Sequence, residues 1–133
     1  MKYILSMAMM IALLSCNAQQ STDPSQQSEV SSSTGVYTDV NNTQAKSLMT
    51  ERPNLQIIDV RTDGEVAAGM IEGAAQIDIS KPNFEQELMK LDKSAPVLVY
   101  CAAGGRSKTA QDKMIALGFK EVHNLEDGYS GWK

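Results

Sequence analysis

The sequence predicts an α/β domain with a five-stranded, mainly parallel sheet and helices on both of its faces. Short apolar runs rich in β-branched residues alternate with segments whose apolar residues recur at helical spacing. Such alternation is typical of parallel strands that are connected by helices. Beyond residue 35, about a hundred residues remain, which is enough for one hydrophobic core and too few for two domains. We therefore expect one domain over residues 36–133.

Each predicted strand is a short apolar run bounded by polar or turn-forming residues. The five runs lie at 36–40, 55–60, 75–79, 97–100 and 122–125. Three pairs of residues have the spacing of a helix N-terminal cap. They are Asn41 with Gln44, Thr62 with Glu65, and Asn83 with Gln86. These pairs mark the starts of three predicted helices. The first is expected to end at Pro53 and the second near Gly69, and in the third Phe84, Leu88 and Leu91 recur at helical spacing.

A longer helix is predicted after the fourth strand. It begins at Arg106, because Ala110, Met114 and Leu117 then share one apolar face. Gly118 followed by an aromatic residue is typical of a left-handed helix C-terminus with a hydrophobic contact. The fourth strand and this helix are therefore separated only by a short loop.

Cys101 is predicted to be the reactive residue. It follows the fourth strand at its carboxyl end, where parallel α/β sheets bind their ligands. An unperturbed thiol has a pKa of about 8.5 and is mostly protonated at neutral pH. The next four residues are small and leave their backbone N–H groups free to surround an anion. These residues are Ala102, Ala103, Gly104 and Gly105. Together with the dipole of the following helix, they favour the thiolate.

Arg106 and Ser107 complete the candidate loop. Ser107 either donates a hydrogen bond to the sulfur or is an ordinary serine at a helix start. A cation in the first turn of a helix is unfavourable towards the helix dipole, so the presence of Arg106 requires a reason. It either binds the oxyanion end of a substrate or braces the loop through carbonyls or a carboxylate. An exposed arginine without a role is the third alternative.

Four segments of the chain resemble the rhodanese family of sulfurtransferases. They are IIDVRT at 57–62, GMIEGA at 69–74, CAAGGRS at 101–107 and LGFKEVHNLEDGYSGW at 117–132. The resemblance covers residues 36–133 and implies a rhodanese-like domain. It also implies that Cys101 accepts a sulfane sulfur and carries it as a persulfide surrounded by the amides of the loop. Met70 departs from the family, in which relatives often carry histidine there. We expect catalysis to survive this change, because the implied mechanism relies on backbone amides.

The resemblance implies an enzyme of the thiosulfate sulfurtransferase type. Its donor would be a small anion, thiosulfate or a polysulfide, and its acceptor a thiol or a cyanide-like nucleophile. No cofactor is expected. Asp59 and Arg61 are expected to support the loop, Asp59 by ordering the neighbouring backbone and Arg61 by helping to attract an anionic substrate. A surface ion pair is the alternative for these two residues.

Three other interpretations of the cysteine are possible. Cys101 could be a buried structural residue, as cysteines at strand ends often are. The related dual-specificity phosphatases of the cell-division-cycle type have one more residue between cysteine and arginine, so the shorter loop here favours sulfur over phosphate. The third interpretation is a tethered binding module, or a stoichiometric sulfur carrier without turnover.

Composition limits the partners of this chain. The formal net charge is −4 at pH 7, and no stripe of basic residues is present, which argues against nucleic acid and against attraction to anionic lipid. His123 is the only histidine, so we expect no metal site and assign this residue no chemistry. Trp132 is expected to pack against the domain. We expect the protein to be a monomer.

Residues 1–15 are predicted to be the signal peptide of a bacterial lipoprotein. Lys2 precedes an apolar run too short to span a bilayer as a mature helix. The sequence LLSC at 13–16 resembles a lipobox, which implies cleavage before Cys16 and lipidation of its thiol. An ordinary signal peptide cleaved near Ala18 is the alternative.

The polar segment that follows is predicted to be a tether. Residues 16–35 consist of the lipidated cysteine and a stretch with almost no apolar residues, which we expect to be disordered. We therefore expect the protein in the bacterial cell envelope, anchored by lipid alone and facing the periplasm or the exterior. The chain contains two cysteines, so lipidation of Cys16 would leave Cys101 without a disulfide partner.

Overall fold

The computed structural model describes residues 34–133, in which five strands alternate with five helices. The strands are β1 (Val36–Val40), β2 (Gln56–Asp59), β3 (Ala75–Gln76), β4 (Val97–Tyr100) and β5 (Glu121–Leu125). The helices are α1 (Asn42–Glu51), α2 (Asp63–Ala67), α3 (Phe84–Leu88), α4 (Gly105–Ala116) and α5 (Gly128–Gly131). The sheet order is β1-β5-β4-β2-β3, and each adjacent pair is parallel. The predicted α/β fold is therefore confirmed.

Strand β4 lies at the centre of the sheet, and all of its residues are buried. Successive side chains of a strand point to opposite faces. Val97 and Val99 pack in one core with side chains of α3 and α4, whereas Leu98 and Tyr100 pack in the other with side chains of α1 and α5. The sheet therefore carries helices on both faces, and the continuous apolar run of β4 follows from its double burial.

Two helix ends agree with the sequence. The Asn41 side chain accepts a hydrogen bond from Gln44 N–H at 3.0 Å, and the Gln44 side chain accepts one from Asn41 N–H at 3.0 Å. At the end of α4, Gly118 has a φ of +90°. The Phe119 N–H then donates to the Met114 carbonyl at 3.1 Å, and the Phe119 side chain is buried. The predicted capping box and left-handed C-terminus are therefore both confirmed.

Helix α3 begins after Asn83 as predicted, but the expected capping bond is absent and the helix is shorter than expected. The Asn83 side chain does not cap it, because a φ of −93° with a ψ of 11° lies outside the extended region that capping residues adopt. Asn83 instead donates to the Glu87 carboxylate at 3.2 Å. The helix ends at Leu88 rather than near residue 91, since Lys90 and Leu91 donate to carbonyls only three residues back.

Two further elements differ from the sequence prediction. The ladder of β3 contains two residues, although Ile77 N–H still donates to the Asp59 carbonyl at 2.8 Å beyond it. The sequence does not predict α5, because four residues that include two glycines are too few to show a helical period.

The predicted signal peptide at 1–15 lies outside the described residues, as does all but the end of the predicted tether at 16–35. Over residues 34–133, no helix is both long enough and apolar enough to cross a membrane. The His, Cys, Asp and Glu side chains of the same region do not gather into a group that could hold a metal ion.

Candidate functional site

Cys101 directly follows β4, so it lies at the carboxyl end of the central strand. Helix α4 begins at Gly105, which leaves a short loop between the strand and the helix. Cys101 is 2% exposed. Only a small reacting group can therefore reach its sulfur without displacing the loop.

The Sγ atom of Cys101 accepts hydrogen bonds from the loop and from the first turn of α4. The Gly104 backbone N–H donates to it at 3.1 Å, and the hydroxyl of the buried Ser107 donates at 3.4 Å. The dipole of the 12-residue helix α4 adds positive potential at the same place. The loop predicted to hold an anion thus directs its donors at the cysteine sulfur.

Two opposing effects set the pKa of the Cys101 thiol. Burial raises this pKa, whereas hydrogen bonds from the Ser107 hydroxyl and from the backbone N–H groups of Ser107, Ala103 and Gly104 lower it. The hydrogen bonds outweigh burial, so the pKa lies below its ordinary value. The thiolate is therefore populated at a lower pH than in an unfolded chain, and none of these donors is a histidine.

Helix α5 binds the outer side of the loop. Tyr129 N–H donates to the Cys101 carbonyl at 2.7 Å, and Ser130 N–H donates to the Ala102 carbonyl at 3.0 Å. The carbonyl and the N–H of a trans peptide point in opposite directions. Holding the Ala102 carbonyl outward therefore leaves the N–H of Ala103 directed towards the sulfur, and α5 is part of the site.

Two glycines allow α5 and the chain before it to approach the loop closely. Gly104 has a φ of +88°, and a Cβ there would lie 2.3 Å from the Glu126 carbonyl oxygen. Gly128 has a φ of +59°, and a Cβ there would lie 2.4 Å from the Ala102 carbonyl. Both positions therefore require glycine. Gly105 does not, since a Cβ there would have nothing within 4 Å.

Arg106 forms a bidentate ion pair with Glu65. Its Nη1 and Nη2 atoms donate to the two carboxylate oxygens at 2.8 and 2.7 Å. The same carboxylate accepts hydrogen bonds from the Thr62 N–H at 3.1 Å and the Thr62 hydroxyl at 2.8 Å. Arg106, followed by Thr62, holds the pKa of Glu65 well below its usual range. Arg106 thus braces α4 against α2 through a carboxylate, which is one of the alternatives open from the sequence.

Asp59 and Arg61 form a buried ion pair close to the loop. Arg61 Nη2 lies 2.7 Å from Asp59 Oδ2, and the two side chains are 4% and 0% exposed. The same Nη2 donates to the Gly69 carbonyl at 2.7 Å, and the guanidinium lies 4.0 Å from the ring centroid of Tyr129. The alternative of a surface ion pair is therefore wrong. Arg61 is a buried support for α5 rather than an exposed cation.

His123 and Trp132 make structural contacts. The Nδ1 atom of His123 lies 2.7 Å from the Thr38 hydroxyl, and its Nε2 atom lies 2.9 Å from the Glu121 carboxylate. Trp132 packs, partly buried, on the core that contains Leu98 and Tyr100. These contacts agree with the structural roles expected from the sequence.

The sequence did not reveal two contributions to the site. Glu65 was expected only as part of a helix cap, and its bond to Arg106 joins residues 41 positions apart. The support of the loop by α5 likewise joins distant parts of the chain. The only available signal for α5 was the segment at 117–132, where Gly128 lies in the stretch that resembles a known family.

Comparison with known proteins gives consistent matches. A family model described as "Rhodanese-like domain" matches residues 41–133. The chain is 32% identical over 98 residues to thiosulfate sulfurtransferase GlpE of Coxiella burnetii, which covers 74% of this chain and 89% of the relative.

Solved structures give the same result. A rhodanese-like domain protein from Staphylococcus aureus superposes with a TM-score of 0.65 at 29% identity, over 72% of this chain and 91% of that protein. The human single-domain sulfurtransferase TSTD1 superposes with a TM-score of 0.63 at 25% identity, over 71% of this chain and 93% of that protein. The chain therefore spans most of the length of these relatives.

Gly104→Ala is expected to destabilise the domain by about 2 kcal/mol or more, because the new Cβ would collide with the Glu126 carbonyl at an unfavourable φ. Alkylation of Cys101 should also slow, since the Gly104 N–H would move. Gly105→Ala is the matched control and should change the free energy of unfolding by less than about 1 kcal/mol. Urea unfolding measures both, and equal losses in the two variants would contradict the requirement for glycine at 104.

Ser107→Ala is expected to raise the pKa of Cys101, because a hydrogen bond that favours the thiolate is lost. The thiol would then stay protonated to a higher pH, so the midpoint of iodoacetamide alkylation at Cys101 should move upward and the rate at pH 7 should fall. Peptide mass spectrometry identifies the modified cysteine. Thr109→Ala removes an exposed hydroxyl from the same helix and should leave the midpoint unchanged. An unchanged midpoint in Ser107→Ala would refute this role.

Proposed function

The chain belongs to the rhodanese-like domain family and is a rhodanese-type sulfurtransferase, and on this basis we propose that Cys101 is its sulfur-carrying nucleophile. The proposed reaction moves sulfane sulfur from thiosulfate or a polysulfide to a thiophilic acceptor through a persulfide on Cys101. The observation that carries this proposal is the set of donors around Sγ, with Gly104 N–H at 3.1 Å and the Ser107 hydroxyl at 3.4 Å.

In the loading step, the Cys101 thiolate attacks the outer sulfur of the donor. A bond forms between Sγ and that sulfur, and the S–S bond of the donor breaks. When the donor is thiosulfate, the leaving group is sulfite. The lowered pKa of Cys101 supplies the thiolate without a neighbouring base. The negative charge then lies on the terminal sulfur, where the backbone N–H groups of residues 102–107 are proposed to stabilise it.

In the unloading step, the acceptor attacks the terminal sulfur and releases the Cys101 thiolate. A thiol with a low pKa is a good leaving group in such exchanges. Cyanide as the acceptor would be converted to thiocyanate, and a thiol acceptor would be converted to its own persulfide. Each step replaces one bond to the transferred sulfur by another, so the proposed cycle requires no electron carrier and no cofactor.

The remaining site residues are proposed to hold the loop in place. The small side chains of Ala102 and Ala103 leave the amides open to a substrate. Arg106 fixes the start of α4 through its ion pair with Glu65. The buried pair of Asp59 and Arg61 supports α5, which holds the loop carbonyls. Loss of this support should affect the loading of Cys101, even though the supporting residues do not contact the donor directly.

Treatment with thiosulfate or polysulfide should add the mass of one sulfur to the peptide that contains Cys101. With cyanide present, thiocyanate should form over many turnovers. Cys101→Ala should remove both signals while the domain stays folded, and Cys16→Ala should keep both. Peptide mass spectrometry and thiocyanate colorimetry provide the readouts.

The outcomes separate the possible roles of the domain. Loading without turnover would identify a stoichiometric sulfur carrier. Absence of both signals in the unmodified protein, with the fold intact by circular dichroism, would refute a sulfur-carrying role for Cys101. A partner captured equally well by Cys101→Ala would favour the binding module.

We also propose that the N-terminal sequence attaches this domain to a membrane. The proposal rests on the lipobox-like residues 13–16 and on the polar composition up to residue 35. Cleavage before Cys16 would leave a lipidated cysteine at the end of a tether. The sulfurtransferase would then work in the bacterial cell envelope, on the periplasmic or exterior side, as a monomer held by its anchor alone and without nucleic acid.

Cys16→Ala is expected to abolish incorporation of a labelled fatty acid and to move the protein from the membrane to the soluble fraction, because the site of acylation is lost. The measurement is metabolic labelling with an alkyne fatty acid together with fractionation of cells. Cys101→Ala is the control and should keep both label and membrane association. An unmodified protein that carries no labelled fatty acid would contradict the lipoprotein proposal.

A further inference from the structure

Helix α5 depends on contacts outside itself. It has only four residues, which is too short for a helix to hold its own shape. At its start, it donates hydrogen bonds to the carbonyls of Cys101 and Ala102. The last carbonyl groups of a helix have no partner within that helix. The position of α5 therefore also depends on what binds its far end.

The far end of α5 is bound by α1. Asn42 is the first residue of α1, and its side-chain Nδ2 donates to the carbonyl of Gly131, the last residue of α5. The two residues are in close contact, since a Cβ at Gly131 would lie 3.5 Å from Asn42 Nδ2. One turn further along α1, the Lys46 ammonium lies 5.2 Å from the ring centroid of Trp132, which directly follows α5. One face of α1 thus holds the end of α5 and the residue after it.

The bond to Gly131 orients the Asn42 side chain at a cost in free energy. Gly131 offers a carbonyl oxygen, so only the amide nitrogen of Asn42 can face it. The Oδ1 atom of Asn42 is then buried, and within residues 34–133 it has no hydrogen-bond donor. An unpaired buried acceptor is destabilising, and α1 already receives its capping bond from Asn41. The stability of α1 therefore does not explain Asn42, whereas its bond to α5 does.

One peptide group connects α5 to the sulfur. The Ser130 N–H, which belongs to α5, donates to the Ala102 carbonyl at 3.0 Å. The same planar peptide unit carries the N–H of Ala103, which is one of the donors that favour the Cys101 thiolate. A shift of α5 away from the loop would release the Ala102 carbonyl and allow this peptide to turn. The bond at the far end of α5 is thus coupled to the surroundings of Sγ.

We propose that Asn42 is a positioning residue for sulfur transfer at Cys101. Its side chain holds the end of α5, α5 holds the loop, and the loop directs its N–H groups at Sγ. The link to sulfur transfer rests on the proposed function, but the coupling itself can be tested without a sulfur donor. Loss of the Asn42 donor should make the Cys101 thiolate harder to form while the core of the domain stays folded.

Asn42→Leu in the full chain tests this role, because leucine is similar in size, is a good helix former and lacks the amide donor. The midpoint of iodoacetamide alkylation at Cys101 should rise by about half a pH unit, since donors to the thiolate are misdirected. Loading of Cys101 by thiosulfate at pH 7 should slow about threefold, because a smaller fraction of the thiol is ionised. Asn42→Ala should shift the alkylation midpoint in the same direction. Peptide mass spectrometry follows both reactions at Cys101.

Asn41→Ala is the matched control at the neighbouring position. It removes the capping bond of α1 and should therefore lower the urea concentration at which the domain unfolds. It leaves the bond between Asn42 and Gly131 in place, so the alkylation midpoint of Cys101 should not move. The control thus separates the stability of α1 from the positioning of α5.

The results discriminate between this inference and the proposed function. An unchanged alkylation midpoint in Asn42→Leu and Asn42→Ala, with the fold intact by circular dichroism, would overturn the role of Asn42 and leave Cys101 as the sulfur carrier. An equal upward shift in Asn41→Ala would overturn it as well, because the effect would then come from the stability of α1. Failure of the unmodified protein to load sulfur would overturn the proposed function, while the alkylation midpoints would still decide whether Asn42 positions the loop.

Discussion

The loop after β4 can direct its N–H groups at Cys101 only if its carbonyl groups find partners on the opposite side. A peptide unit is planar, so the two directions cannot be chosen independently. Buried carbonyls without partners would cost free energy. Tyr129 and Ser130 at the start of α5 satisfy the carbonyls of Cys101 and Ala102. The four-residue helix at the end of the domain therefore fixes the orientation of a loop that precedes it by more than twenty positions.

The position of α5 against the loop depends in turn on the buried ion pair of Arg61 and Asp59. Arg61 stacks on the ring of Tyr129 and is bonded to Asp59 and to the Gly69 carbonyl, with almost no exposure to water. A buried ion pair contributes little net stability relative to apolar residues, but removal of one partner leaves the other charge uncompensated. The pair therefore makes the position of α5 specific. The pair affects the surroundings of the sulfur indirectly. Arg61, just after β2, positions Tyr129, and α5 in turn holds the carbonyl groups of the loop.

Local patterns predicted those parts of the structure that local interactions determine. The apolar run of β4, the Asn41 cap and the left-handed Gly118 were all confirmed, because each depends on a few neighbouring residues. The Asn83 cap failed, since its backbone dihedrals, set by the surrounding fold, turn the side chain towards Glu87. At the site, the cysteine and its small loop residues were visible in the sequence, whereas the partners of Arg106 and of the loop carbonyls were not. Those partners lie in α2 and α5, far from the loop in sequence, and no period in the sequence connects them to it.

Stabilising the thiolate and holding the loop in position are separate tasks in this site. Backbone N–H groups and the Ser107 hydroxyl lower the pKa of Cys101 against the effect of burial, and they act only at the short range of a hydrogen bond. The guanidinium of Arg106 pairs with Glu65, and its pKa is raised by this carboxylate first and by Cys101 to a smaller extent. Arg61 pairs with the buried carboxylate of Asp59 and stacks on Tyr129, so it serves the position of α5. The site therefore activates its cysteine with dipoles and hydrogen bonds, while the ion pairs keep those donors in place.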